Sequence, residues 1–131
     1  MRSRTVRASA LAVALAAGVL LARAYAQPAS APVVHVVLFD LAADATPAEV
    51  QALADDSRRL LPGIPGVEAV WTGPKALDDR EAHVKDYDVA LCVRLKSLAD
   101  LKSYAAHPRH QELVAKWKAR ATWRVVDFFD R

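Results

Sequence analysis

The sequence predicts an α+β domain of the ferredoxin-like, split βαβ (βαββαβ) type, with an antiparallel four-stranded sheet and helices on one face. The first observation is the order of elements, strand–helix–strand followed by strand–helix–strand, between residues 33 and 131. The second is the first strand, which is apolar on both sides: Val36 and Leu38 face one way, Val37 and Phe39 the other. Helices can cover only one side of such a sheet, so we expect a second copy of the chain to cover the other.

The first half of the domain has clear boundaries. "VVHVVLFDL" (33–41) is β-branched and apolar, which is typical of a strand. Thr46, Pro47 and Glu49 then form a capping box with proline at the first helical position. The "PGIPG" stretch (62–66) ends this helix. "VEAVWTG" (67–73) is predicted to be the second strand, and a polar loop follows it.

The second half repeats the order of strand, helix and strand. "YDVALCVRL" (87–95) predicts the third strand, and Ser97 is placed to cap the helix after it. Pro108 interrupts that helix and starts a second helical piece. "TWRVVDFFD" (122–130) closes the domain as the fourth strand. The apolar positions of the two helical pieces are Leu98, Leu101, Tyr104, Leu113, Val114 and Trp117.

The N-terminus predicts export. Three arginines precede an alanine-rich apolar run at residues 8–22, and Ala24-Tyr25-Ala26 follows as a small-x-small cleavage site. We therefore expect a signal peptide over residues 1–26, a flexible leader over 27–32 and the domain over 33–131. The apolar run is shorter than the roughly 20 residues of a membrane-spanning helix. The mature protein is expected to be periplasmic or secreted and free of the membrane.

Charge and cysteine content argue against nucleic-acid binding and against an intramolecular disulfide. The whole chain has 18 basic and 15 acidic residues, a net charge of +3. The predicted signal peptide contains four of the arginines, so the mature chain has 14 basic against 15 acidic residues and a net charge of −1. No basic surface for nucleic acid is expected. Cys92 is the single cysteine, so it cannot form an intramolecular disulfide, and we interpret it as a small buried hydrophobe.

Five fragments in this order resemble a known family. They are "HVVLF" in the first strand, "IPGV" before the second strand, the glycine that ends that strand, "YAAHPRH", and the closing "V-DF". Together they resemble the stress-responsive dimeric α/β-barrel (Dabb) domain from Val33 to Phe129. The resemblance implies a ferredoxin-like protomer whose sheet closes into a barrel with that of a second copy. It also implies two kinds of relative: stress-induced proteins without assigned chemistry, and a plant branch that cyclises polyketides without a cofactor.

The histidines of "YAAHPRH" raise the question of a metal site. His107 and His110 are three residues apart, but Pro108 between them should break the helix and turn the two rings apart. A zinc site needs at least a third ligand, and only Glu112 or His83 could be recruited, with no motif to support either. The sequence therefore favours no metal and no cofactor.

Proton chemistry is the second interpretation of the cluster. With Pro108 at the first helical position, His110 lies near the helix N-terminus, which favours a neutral, basic imidazole. By resemblance, His35, Tyr104 and His110 match positions that line the catalytic pocket of the cyclase branch, and Tyr104 could donate to a developing oxyanion. The chain departs from that branch in the third strand, which has Asp88 and Val89 after Tyr87. The alternative is a structural lock in which the buried imidazoles bond each other or the backbone.

Two hypotheses of function follow. The first is an exported, non-enzymatic Dabb homodimer whose specific role is undetermined, with a small apolar or aromatic ligand as a candidate partner. The second is a cofactor-independent cyclase or lyase that uses histidine and tyrosine as acid–base groups. The three tryptophans, Trp71, Trp117 and Trp123, are interpreted as core or interface packing.

Overall fold

The computed structural model describes residues 31–130 of the chain. The predicted signal peptide and residues 27–30 of the predicted leader lie outside the described residues, as does the last residue of the predicted domain. In chain order the described elements are β1 (Val33–Leu41), α1 (Pro47–Leu60), β2 (Val67–Pro74), β3 (Val89–Leu95), α2 (Leu98–Ala106), α3 (Pro108–Trp117) and β4 (Ala121–Phe129).

The four strands form one antiparallel sheet in the order β2-β3-β1-β4. This is the predicted split βαβ arrangement, with β1 and β3 in the centre. The third strand begins at Val89, two residues later than predicted, and the fourth at Ala121, one residue earlier. Before β3, the Asp88 carboxylate accepts a hydrogen bond from the backbone N–H of Leu41 at 2.8 Å, so a side chain takes the place of a ladder bond.

Local chemistry fixes the ends of the helices as the sequence predicts. The Thr46 side chain accepts from the N–H of Glu49, and the Glu49 carboxylate accepts from the N–H of Thr46 at 2.9 Å, which completes the capping box. Ser97 caps α2 in the same way through the N–H of Asp100. Between α1 and β2 the chain turns at Gly66, whose φ of +88° only glycine adopts readily.

Pro108 divides the second helical region into α2 and α3. His107 has an extended backbone, with φ −69° and ψ 139°. It is both the C-cap of α2 and the N-cap of α3. The predicted break is therefore confirmed, and it swings α3 into a new direction over the sheet. This change of direction places His110 and the residues after it above the central strands.

The hydrophobic core lies between the helices and one face of the sheet. The alternation along β1 and β3 puts one set of side chains into this core and the other set on the open face. Trp117 is buried in the core, as predicted. The core includes Val37, Phe39, Leu91, Val93, Leu53, Leu61 and Tyr104.

The open face of the sheet carries large apolar side chains. Trp71, Val126 and Phe128 are 57 %, 62 % and 50 % exposed in the single chain. The register places Val126 beside Val36 and Trp71 beside Cys92, on the side away from the helices. Cys92, interpreted from the sequence as a small buried hydrophobe, lies on this open face and is partly buried in the single chain.

Candidate ligand-binding site

A cavity of about 150 Å³ lies between the core face of the sheet and helices α2 and α3. The residues of its walls come from β1, β3, β4 and both helices, and most are apolar. Trp123 and Val125 of the edge strand β4 line it although they are 37 % and 45 % exposed, so they mark its open side. Trp123 packs edge-to-face on Phe39 and, like Trp117, is also part of the cavity wall. The polar side chains in the lining are His35, Tyr104 and His110.

The structure brings the three predicted site residues together. The ring of Tyr104 lies 5.7 Å from that of His35 in an edge-to-face arrangement, and 4.7 Å from that of His110. The tyrosine ring therefore contacts both imidazoles. The break at Pro108 makes this possible, because it allows one histidine on a strand and one on α3 to approach a tyrosine on α2.

The hydroxyl of Tyr104 is a buried polar group that has no hydrogen-bond partner in the described part of the chain. Tyr104 is 1 % exposed, and its hydroxyl makes no hydrogen bond with any described residue. Burial raises the pKa of Tyr104 well above its usual value, so the hydroxyl keeps its proton throughout the neutral range. It is therefore a donor without a partner among the described residues, on a side chain that lines the apolar cavity.

His110 is held by the backbone of α2. Its Nδ1 lies 3.0 Å from the carbonyl oxygen of Ala105, which assigns the proton to Nδ1 and leaves Nε2 as an acceptor. Burial lowers the pKa of His110; the hydrogen bond to Ala105 opposes this shift, and the nearby His35 adds to it. A neutral ring was predicted from the helix N-terminus, but burial is the larger cause.

His35 has a partner that the sequence did not reveal. Its Nδ1 lies 2.6 Å from Oδ1 of Asp127, which is directly opposite it in the pairing of β1 with β4. The lock hypothesis had the imidazoles bonding each other or the backbone: His110 does bond a backbone carbonyl, whereas His35 bonds a carboxylate and not His110. Asp127 belongs to the "V-DF" fragment, but only the register between two distant strands shows that it meets His35.

The remaining histidines do not join this cluster. The Nδ1 atom of His107 accepts from the N–H of Arg109 at 3.2 Å, so this ring caps α3. His83 lies in the loop between β2 and β3, 3.0 Å from the guanidinium of Arg80. Within residues 31–130, no three side chains of the metal-binding types come together. In the same range, none of the helices has the length and apolar character needed to cross a membrane.

Residues 33–130 match the family described as the stress responsive A/B barrel domain (Dabb). The chain belongs to this family. The match spans every strand and helix of the fold and four residues of the site, His35, Tyr104, His110 and Asp127. The resemblance predicted from five short fragments is confirmed.

Individual relatives agree with this assignment. The uncharacterized protein SCO4036 of Streptomyces coelicolor is 33 % identical over 103 residues, which cover 72 % of this chain and 95 % of that protein. A dimeric ferredoxin-like protein from Thermobifida fusca superposes with a TM-score of 0.66 at 20 % identity, covering 77 % of this chain and 92 % of the other. SnoaB, a cofactor-independent oxygenase from Streptomyces nogalater, superposes with a TM-score of 0.59 at 18 % identity, covering 77 % and 94 %. The two structures share the fold of this Dabb chain.

Proposed function

We propose that this Dabb domain is a homodimer that binds a small, mostly apolar ligand with one hydrogen-bonding oxygen in the cavity beneath α2 and α3. The observation that carries the proposal is the hydroxyl of the cavity residue Tyr104, which is buried, protonated and without a hydrogen-bond partner within residues 31–130. A buried hydroxyl without a hydrogen bond costs about 1–3 kcal/mol. A ligand oxygen at this point would remove that cost, which is why an occupant with one polar group fits better than a hydrocarbon.

His110 and Tyr104 together define the polar group that the ligand should carry. With Nδ1 of His110 bonded to the carbonyl oxygen of Ala105, its Nε2 is left to accept a hydrogen bond from the ligand. Tyr104 can donate, so a hydroxyl group, which both donates and accepts, suits the pair. The other walls are aliphatic and aromatic, which favours a flat or extended apolar body. Phenols with an alkyl substituent have both features.

Binding of a phenol tests the proposal. We expect 4-butylphenol to raise the melting temperature of the protein in proportion to the logarithm of its concentration above Kd. Tyr104→Phe should bind at least tenfold more weakly, which corresponds to a lost hydrogen bond of about 1.4 kcal/mol. Tyr87→Phe is the matched control, because this tyrosine lies in the loop before β3 and not in the cavity wall. Equal binding by both variants would contradict the role of Tyr104.

The homodimer is supported by the open face of the sheet. Trp71, Val126 and Phe128 form an exposed apolar surface there, which is unusual on a monomer. The Thermobifida fusca protein with the same fold is described as dimeric. Packing the open faces of two copies together would bury these side chains and produce the dimeric α/β barrel. The cavity lies on the other face, so both copies keep their own site.

A cofactor-independent cyclase or lyase is the second candidate. It is favoured by the contact between His35 and Asp127, which orients the imidazole as a base is oriented in many enzymes. In such a reaction a histidine would take a proton from the carbon next to a carbonyl, and Tyr104 would donate to the developing enolate oxygen. SnoaB, with the same fold, is described as a cofactor-independent oxygenase. Conversion of a poly-β-keto thioester to a ring product, lost in His35→Ala without loss of folding, would favour the enzyme over the binding protein.

Export is a further part of the proposal. The arginines, the apolar run and the Ala24-Tyr25-Ala26 site are the support for cleavage after Ala26 and for a periplasmic or secreted protein. Mass spectrometry of the protein from its native cell should then give an N-terminus at Gln27. A full-length cytoplasmic product would contradict export but would leave the ligand site unaffected.

A further inference from the structure

Asp56 is the one charged residue that is buried within residues 31–130. It lies on α1 and is 7 % exposed, while its neighbour Asp55 on the same helix has a side chain that is 61 % exposed. A buried carboxylate lowers stability unless several donors surround it. What surrounds Asp56 therefore shows what the residue does.

Three donors from two helices meet this carboxylate. The indole Nε1 of Trp117 donates to Oδ2 at 3.0 Å, the ammonium of Lys116 lies 2.6 Å from the same oxygen, and Arg59 donates to Oδ1 at 3.0 Å. Burial alone would raise the pKa of Asp56, but the hydrogen bonds from Lys116, Arg59 and Trp117 outweigh it and lower the pKa. The carboxylate is thus charged at neutral pH and ties α1 to the end of α3.

Trp117 is also a wall of the ligand cavity. It follows His110 by seven residues on α3, and both residues line the same cavity. Seven residues of α-helix span about 10 Å, so the polar end at His110 and the wall at Trp117 are about that far apart. The indole has one polar atom, its N–H, and this atom is bonded to Asp56. The hydrogen bond therefore fixes the orientation of a ring in the cavity wall.

We propose that Asp56 is a positioning residue that sets the length of ligand the cavity accepts, by holding the indole of Trp117 across its inner end. The inference rests on the proposed ligand function. The ligand class it implies has a polar head at Tyr104 and His110 and an apolar tail that ends at Trp117. Asp56 acts only through Trp117, because Asp56 itself is not part of the cavity lining.

A series of phenols with growing tails tests this role. For the native chain we expect binding to tighten roughly fourfold per added methylene from 4-methylphenol to 4-butylphenol, and to weaken again for 4-octylphenol. Asp56→Leu removes the acceptor and frees the indole, so 4-octylphenol should bind at least tenfold more tightly while 4-methylphenol binds as before. Trp117→Phe should give the same shift, because it removes the ring's outer edge together with its N–H.

Two control variants and a direct signal complete the experiment. Asp56→Asn keeps an oxygen that can accept from Trp117 and should retain the native preference for tail length. Asp55→Leu makes the same change on an exposed neighbour and should also leave the preference for tail length unchanged. The indole N–H of Trp117 should exchange slowly with solvent in a ¹H–¹⁵N spectrum of the native chain and rapidly in Asp56→Leu.

The outcomes separate the two proposals. If the native chain binds none of the three phenols, the proposed ligand function is contradicted and the inference falls with it. If it binds them but Asp56→Leu keeps both the native tail preference and a protected indole N–H, the positioning role alone is overturned. A shift in Asp56→Leu that Asp56→Asn and Asp55→Leu lack supports the role.

Discussion

The Nδ1 atom of His35 lies 2.6 Å from Oδ1 of Asp127, across the pairing of β1 with β4. The imidazole is largely buried, with 12 % of its side chain exposed, whereas 45 % of the aspartate side chain is exposed. A carboxylate that accepts from Nδ1–H keeps the proton on that nitrogen and leaves Nε2 free. Asp127 thereby orients a ring that contacts Tyr104 at the cavity.

The first prediction concerns this contact. Asp127→Ala should weaken 4-butylphenol binding by several-fold, because the His35 ring loses its fixed orientation. The free energy of unfolding should fall by only about 0.5–1 kcal/mol, since one partner is half exposed. Calorimetric binding and urea unfolding measure the two effects. Asp55→Ala removes an exposed ion pair with Arg58 away from the cavity and should leave binding unchanged. Equal binding by the two variants would show that Asp127 does not orient the site.

The second prediction is a pH dependence of stability that arises from His110. Burial lowers the pKa of His110 below its ordinary 6.5, so in acid the unfolded chain binds this proton before the folded chain does. The contribution of His110 to the free energy of unfolding should therefore be constant above about pH 6.5. It should decline as the pH falls from there through the pKa of His110 in the folded chain. His110→Gln should remove this part of the decline, and His83→Gln, in the loop, should not. Melting temperatures of the three proteins are measured between pH 5 and 8. Parallel curves of melting temperature against pH for the native chain and His110→Gln would contradict the role of His110.

Much of the fold could be predicted because its signals are local. Thr46 with Glu49 fixes the start of α1, and Pro108 separates α2 from α3, so each boundary depends on only a few neighbouring residues. The two-sided pattern of β1 also indicated the apolar open face. The ends of β3 and β4 were less accurate, because side-chain bonds such as that of Asp88 decide where a ladder stops.

The site could be predicted only in part, for the opposite reason. The ring cluster of His35, Tyr104 and His110 was expected, because its members lie in recognisable fragments. The contact of His35 with Asp127 spans 92 positions of sequence and depends on strand register, which no local pattern contains. The bond between Asp56 and Trp117 spans 61 positions and joins two helices through their packing. Such pairings exist only once the tertiary structure has formed.

The third prediction concerns the open face of the sheet. Val126→Asp places a charge at its most exposed apolar position and should prevent self-association. Sedimentation at micromolar concentration should then show a dimer for the native chain and a monomer or an aggregate for the variant. Leu77→Asp is the matched control, because Leu77 is 56 % exposed in the loop between β2 and β3 and not on the sheet. A native chain that sediments as a monomer would refute the dimer.

The last prediction separates the hydroxyl of Tyr104 from its ring. Without a ligand, Tyr104→Phe removes a buried group that has no partner among the described residues, so stability should be unchanged or rise by about 1 kcal/mol. Tyr104→Ala also removes the ring between the two imidazoles and should cost about 3–5 kcal/mol. With saturating 4-butylphenol the native chain should become more stable than Tyr104→Phe, because only the native hydroxyl gains a hydrogen bond to the ligand. Urea unfolding with and without the phenol measures all three proteins. If Tyr104→Phe loses stability without a ligand, the hydroxyl already has a partner, such as an ordered water, and is not free to receive a ligand oxygen.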